Sequence, residues 1–432
     1  MTSANSAREL KRSSVIPMAI VAGLFFILGF ATWLNGSLLP YLELVLSLTP
    51  FQASFILFSF YIAVTVFALP SAWVIRKLGY KNGMALGMLG MALAAFMFIP
   101  AAETQWFGLF LFAQFMMGAS QTLLQTAVNP YVVKIGPEES AAARISIMGI
   151  LNKSAGVIAP MVFTALILSG MSDYSTQAPT QEEIDKLADN LVLPYIGMGL
   201  FIATLALLIR LSPLPELTLE NDARSSGSQM AVLRFPHLIL GVIALFLYVG
   251  VEVIAGDTIG SYGRSIGYEG FASLTSYTMA FMVLGYALGV LLIPRLISQE
   301  RALMVSAILG LLLSLAIVMG DNKATDFSEL LQPFGFPAMP NTVLYLALLG
   351  LANAIVWPAI WPMALRGMGR FTSTASALLI MAIAGGAILP VLLGGLTMIE
   401  SLGRQGAYCI LIPAYVFILF YSVKGHKIKS WR

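Results

Sequence analysis

QTLLQTAVNPYVVKIGPEESAAARISIMGILNK, residues 121–153, joins two apolar runs through a short charged turn. Amides and one lysine, Lys153, stand inside those runs. On a helix Gln114, Gln121, Gln125 and Asn129 fall at i, i+7, i+11 and i+15, a stripe roughly 80° wide at 100° per residue. In the second run Ser146, Gly149, Lys153, Gly156 and Pro160 share a face, so small residues flank the lysine. A lysine at the centre of a spanning helix costs about 2.5–3.5 kcal/mol, so it is expected to face protein or a wet cavity. The amides admit two readings, a ligand-binding stripe or polar glue between neighbouring helices.

Outward from this stretch the whole chain reads as membrane-spanning. Of 432 residues 58% are hydrophobic and 10% charged, with mean hydropathy +0.86, which excludes a soluble domain of this length. The expected class is an all-α polytopic membrane protein. Twelve apolar segments are long enough to span, at 15–46, 50–78, 82–101, 106–135, 141–170, 190–211, 237–266, 271–297, 301–320, 341–367, 372–398 and 406–423. Pro70, Pro130, Pro160, Pro358, Pro362 and Pro390 lie inside them, where neighbouring helices or a cavity must satisfy the freed backbone groups. The first run is too long for a signal peptide and is read as a retained span. The single cysteine, Cys409, permits no internal disulfide and reads as a small core residue.

Charge sets the expected orientation. With both termini cytoplasmic, nineteen of the 24 Lys and Arg lie on the cytoplasmic side. Lys186, Arg264, Lys323 and Arg404 lie outside, and only Lys153 lies within a span. The outer connection 171–190 is acidic and reads as a solvated loop with a short surface helix. An inner (plasma) membrane location of bacterial type is expected.

The Pro-, Ser- and charge-rich segment 212–236 divides the chain. A tail, 1–14, precedes a six-helix bundle at 15–211; a second bundle, 237–423, is followed by a tail at 424–432. GFATWLNGSLLPYL in the first span overlays GVEVIAGDTIGSYG in the seventh, Gly29 on Gly250. TAVNPYVVK in the fourth span matches PAIWPMALR in the tenth, with Pro362 on Pro130 and Trp357 on Gln125. Gly156 and Pro160 of the fifth span match Gly386 and Pro390 of the eleventh. Two pseudo-symmetric six-helix bundles, with substrate between them near the midplane, are the major facilitator arrangement.

LNGSLLPYL, the NP-x(5)-GPEES block and RISIMGILNKSAGVIAP resemble the fucose–glucose/galactose branch of major facilitator sugar symporters. YVGVEVIAGDTIGSYG is similar to its glucose/galactose members, some of which are sodium-coupled. IRKLGYKNG, residues 75–83, is a degenerate form of the superfamily's second-to-third loop motif, with Arg76 near the usual aspartate. The resemblance implies Asn152 as the counterpart of a substrate-binding asparagine. It also exposes a difference. Fucose-type proton symporters carry acids where this chain has Gly36 and Gln125, so their proton mechanism does not transfer.

Other acids remain. Glu43 lies near the outer end of the first span, and Glu252 and Asp257 lie inside the seventh, Asp257 overlaying Gly36. Five residues apart, Glu252 and Asp257 differ by about 140° and share a cavity only if the helix unwinds, for which Gly256 and Gly260 are suited. Lys153, Glu252 and Asp257 are the expected ion-coupling set, with Asp257 the sodium ligand. The alternative is a buried carboxylate held by Thr258 or Ser261.

For the sugar, amides supply donors and acceptors and a flat ring supplies an apolar face. Asn35, Gln121, Gln125, Asn129, Asn152 and Asn353 are the amide candidates. Trp33, Tyr61, Tyr248, Trp357 and Trp361 lie within spans, and Tyr248 and Trp357 are the favoured rings. The expected function is hexose import by cation symport, sodium preferred over protons. N-acetylglucosamine or fucose driven by protons, and an uncoupled facilitator, stay open. No cofactor beyond the coupling ion Na+ or H+, no nucleic acid and a monomer are expected. A lipid-acting membrane enzyme is disfavoured, because His237 and His426 both lie at cytoplasmic helix ends. A sugar sensor is disfavoured by the lack of a large cytoplasmic domain.

Overall fold

The computed structural model describes residues 2–134, 141–167, 180–212, 214, 229–293 and 295–431. The charged turn 136–140, residues 171–179 of the acidic connection and Arg224 of the linker lie outside these. Among the described residues the chain is helical, with no strand, and twelve stretches are long and apolar enough to cross a membrane.

The first span is broken. α1 (Thr2–Trp33) ends at Leu34 and α2 (Asn35–Val45) continues it. α3 (Pro50–Leu78), α4 (Tyr80–Thr104), α5 (Phe107–Lys134), α6 (Ala141–Leu166) and α7 (Gln181–Leu211) complete the first six spans. The seventh is α8 (Pro236–Asp257) plus α9 (Ile259–Ser265), and α10 (Leu274–Leu292) and α11 (Gln299–Met319) follow. A short α12 (Asp326–Glu329) precedes the broken tenth span, α13 (Asn341–Asn353) and α14 (Val356–Leu365). α15 (Thr372–Met381) and α16 (Gly385–Leu396) form the eleventh, and α17 (Gly403–Gly406) and α18 (Leu411–Val423) the twelfth.

Local chemistry explains several helix starts. Thr49 and Gln52 form a capping box before α3, with Pro50 at its first position. Thr180 and Glu183 form another before α7. The second box corrects the acidic loop: 181–190 is the first part of a spanning helix, which therefore starts well before residue 190. The N-terminal tail is likewise corrected, since α1 reaches back to Thr2; its Ala, Arg, Glu, Leu and Lys favour helix and no proline intervenes before Pro17.

The breaks do not coincide with the expected prolines. Pro70, Pro160, Pro362 and Pro390 all sit inside continuous helix, whereas the chain breaks at Leu34, Thr258 and Ala354–Ile355. Around Thr258 the neighbouring helix satisfies backbone oxygens: Thr275 Oγ1 donates to Gly256 O at 2.7 Å and Thr278 Oγ1 to Ala255 O at 3.2 Å. That compensation is what an interrupted helix requires away from water.

Packing repeats between the two sets of six. α1 packs on α6 as α8 does on α16; α3 on α5 as α10 on α13; α4 on α7 as α11 on α18. Gly118 and Gly350, separated in the chain as Gln125 and Trp357 are, mark a close approach repeated in both sets. A Cβ on Gly118 would lie 2.3 Å from Phe60 O, and one on Gly350 2.1 Å from Thr278 O. Only glycine lets these backbones meet. The two sets join along three seams, α6 with α10, α3 with α16 and α2 with α9. Both chain termini end at one face of this bundle, because the spans are even in number. The opposite face, the distal end, carries α2, α9 and α17.

Candidate functional site

The seams bring the membrane-embedded charges together. Lys153, on α6, donates from Nζ to Glu252 Oε1 on α8 at 2.6 Å, and both side chains are only 11% exposed. The same ammonium lies 4.2 Å from the centre of the Trp33 ring at the end of α1, a cation–π contact in a desolvated place. Trp33 is wedged between the two sets. A Cβ on either Gly156 or Gly256 would come within 2.7 Å of its ring, so both positions need glycine for the indole to fit. Met279 and Met282 of α10 and Ala354 close this cluster.

Asp257 belongs to a second, adjacent centre. It is fully buried, and its Oδ2 accepts from the Tyr61 hydroxyl of α3 at 3.2 Å. Its Oδ1 has no hydrogen-bond partner among the described residues. Lys153 and Glu252 lie within electrostatic reach. Of the two hydroxyls considered from sequence, Thr258 is engaged elsewhere, donating to Ile254 O and sharing a contact with Tyr408 Oη, and Ser261 Oγ makes no hydrogen bond to Asp257. α8 runs unbroken through both acids, so the expected unwinding between them does not occur, and the roughly 140° between them turns Glu252 to α6 and Asp257 to α3.

The amides divide into two groups. Gln114 Nε2 donates to Asn35 Oδ1 at 2.9 Å, and Gln121 Nε2 donates to Thr32 Oγ1 of α1. Asn353 Oδ1 accepts from the Tyr415 hydroxyl at 2.8 Å. All three contacts tie helices of the same set of six, the polar-glue arrangement. Gln125 is half-buried, and Asn152 is half-buried with Nδ2 donating to Phe25 O at 3.3 Å. Asn129 does not join these groups; it is exposed, about one turn beyond Gln125 along α5. On the other set, Trp357 is half-buried and stacks on Trp361 with centroids 5.3 Å apart. Its centroid lies 6.4 Å from that of the buried Tyr248, one turn before Glu252.

Sequence reasoning named Tyr61 and Trp33 only as aromatics within spans. Their partnership with Asp257 and Lys153 left no local signal. Among the described residues no group of three or more His, Cys, Asp or Glu could hold a metal. Asp257 with its open oxygen stands as a single carboxylate, suited to a proton or a weakly held monovalent cation.

Residues 21–389 match the family model described as Major Facilitator Superfamily. The chain is 30% identical over 408 residues to a glucose/galactose transporter of Brucella abortus, covering 94% of this chain and 92% of that protein. It is 28% identical over 428 residues to the L-fucose-proton symporter of Escherichia coli K12, covering 95% and 92%. Among solved structures it is similar to the transporter FucP in the outward conformation, with TM-score 0.67, 27% identity and coverage of 95% of this chain and 98% of that one.

Proposed function

The chain belongs to the major facilitator superfamily, and on that premise we propose that it imports a neutral hexose of the glucose/galactose type together with a cation. The two sets of six spans rock about the midplane seam, with both termini in the cytoplasm and the distal end outside. The relatives named for glucose, galactose and fucose transport support the substrate class.

One observation carries the coupling. Lys153, Glu252 and Asp257 lie buried together, and as ionised groups they sum to one negative charge. Buried charge at bilayer depth must be paired or neutralised, so the centre is short by one cation. Asp257, with its open Oδ1, is the place for it. The preferred ion is sodium, since an oxygen-only carboxylate site suits a hard cation. With the cation bound, Lys153 and Glu252 neutralise each other. With it absent, Lys153 is drawn between two acids and resists reorientation. The sugar is held by Gln125 and Asn152 on one side and by Trp357 and Tyr248 on the other, polar edge against amides and apolar face against rings.

A second reading puts a proton on Asp257 instead, in keeping with the relative named as an L-fucose-proton symporter. Radiolabelled glucose, galactose, fucose and N-acetylglucosamine uptake into proteoliposomes under imposed sodium or pH gradients decides between the ions. Equilibration without accumulation under either gradient would make the protein a facilitator and sink the coupling proposal.

A further inference from the structure

The distal end holds a second charged contact between the two sets of spans, unrelated to the midplane centre. Glu43, on α2, is 5% exposed and faces Arg404 of α17, with Oε2 to Nη2 at 3.5 Å. Arg404 is anchored on its own side, because Nη1 donates to Ser261 O of α9 at 2.8 Å. Arg264, also on α9, lies within electrostatic reach of Glu43. When the sets separate, Arg404 therefore stays with the last six spans and Glu43 with the first.

Below this contact lies a cavity of about 40 Å³, lined by Glu43, Ser54, Thr258, Ser261, Thr397 and Arg404 among others. It has room for about three water molecules and none for a hexose. The contact is loose compared with charge-assisted hydrogen bonds of about 2.7–2.9 Å, and Arg404 is 27% exposed. A tight, dry pair would be costly to part; a loose one beside a polar cavity separates into water-accessible space. Neutral contacts also hold the seam nearby, such as Ser37 Oγ donating to Ala272 O at 2.8 Å.

We propose that Glu43 and Arg404 form the latch of the distal gate: their attraction biases the protein toward the state closed at that end, and losing either charge shifts the population toward the open one. The proposal rests on the rocking-bundle reading of transport, and a ligand-free measurement tests it separately. In the full chain, in nanodiscs so that both faces are accessible, Cys409→Ala removes the native thiol and Thr397→Cys reports on the cavity. Reaction with a polar maleimide is timed against Thr104→Cys, an exposed distal control. Glu43→Gln and Arg404→Gln should each speed labelling at position 397 at least about fivefold, the low end of ordinary coupling strengths, and leave the control rate unchanged. Equal rates at 397, or equal acceleration at the control, overturn the latch. Either variant suffices if the other does not fold. Faster labelling in a protein that carries no hexose would sink the transport reading and leave the latch standing. Unchanged labelling in a working transporter would do the reverse.

Discussion

Lys153 and Glu252, 99 positions apart in the chain, form a buried ion pair at 2.6 Å across the seam between the first and last six spans. The pair joins the two sets of six spans, so under the proposed rocking mechanism its charge state bears on stability and on reorientation together.

Removing one partner leaves the other charge buried and unpaired, a loss of about 3–5 kcal/mol for a pair of this kind. Lys153→Met and Glu252→Gln should each lower the thermal midpoint in detergent, and the double variant should recover part of the loss. A double variant no more stable than the singles would show that the two groups are not coupled.

Asp257→Asn should retain hexose exchange between the two sides of proteoliposomes and lose accumulation driven by a sodium gradient. Tyr61→Phe removes one hydrogen bond to that carboxylate, a contact worth about 1.5–3 kcal/mol. It should shift the apparent ion affinity by about tenfold or more. Both variants accumulating sugar like the parent would move the coupling site elsewhere.

Gln125→Ala and Asn152→Ala should each weaken hexose binding roughly tenfold, the effect of one lost hydrogen bond with its partner left unpaired. Titration calorimetry on the purified protein measures this. Parental affinity in both would remove α5 and α6 from the sugar site.

Tyr415→Phe behaves differently, because it strands the buried Asn353 oxygen within one set of six. A destabilisation of about 1–3 kcal/mol is expected, with hexose affinity within twofold of the parent. A tenfold loss of affinity would return Asn353 to the substrate site.

Gly118→Ala and Gly350→Ala place a Cβ against a backbone carbonyl in each set. Since backbone yields less readily than a side chain, each should cost about 1–3 kcal/mol or more. Unfolding midpoints equal to the parent's would mean that α3 and α5, or α10 and α13, are free to part.

The sequence alone determined the class of fold, because burial in lipid is decided by hydrophobic content over about twenty residues, and that is a local property. It also carried the internal repeat, visible in Gln125 over Trp357 and matched by the glycines at 118 and 350. Its reading of the amide stripe held as helix periodicity, but periodicity says which residues share a side and not what stands opposite. Gln114 meets α2 and Gln121 meets α1 there. Tertiary structure alone decided the pairings. Tyr61 reaches Asp257 from 196 positions away, Lys153 chooses Glu252 over Asp257, and the seventh span breaks at Thr258 where α10 offers hydroxyls to its carbonyls. Such choices depend on how whole helices stack and tilt. A charge at bilayer depth announces that it needs a partner, but only the packed bundle supplies one.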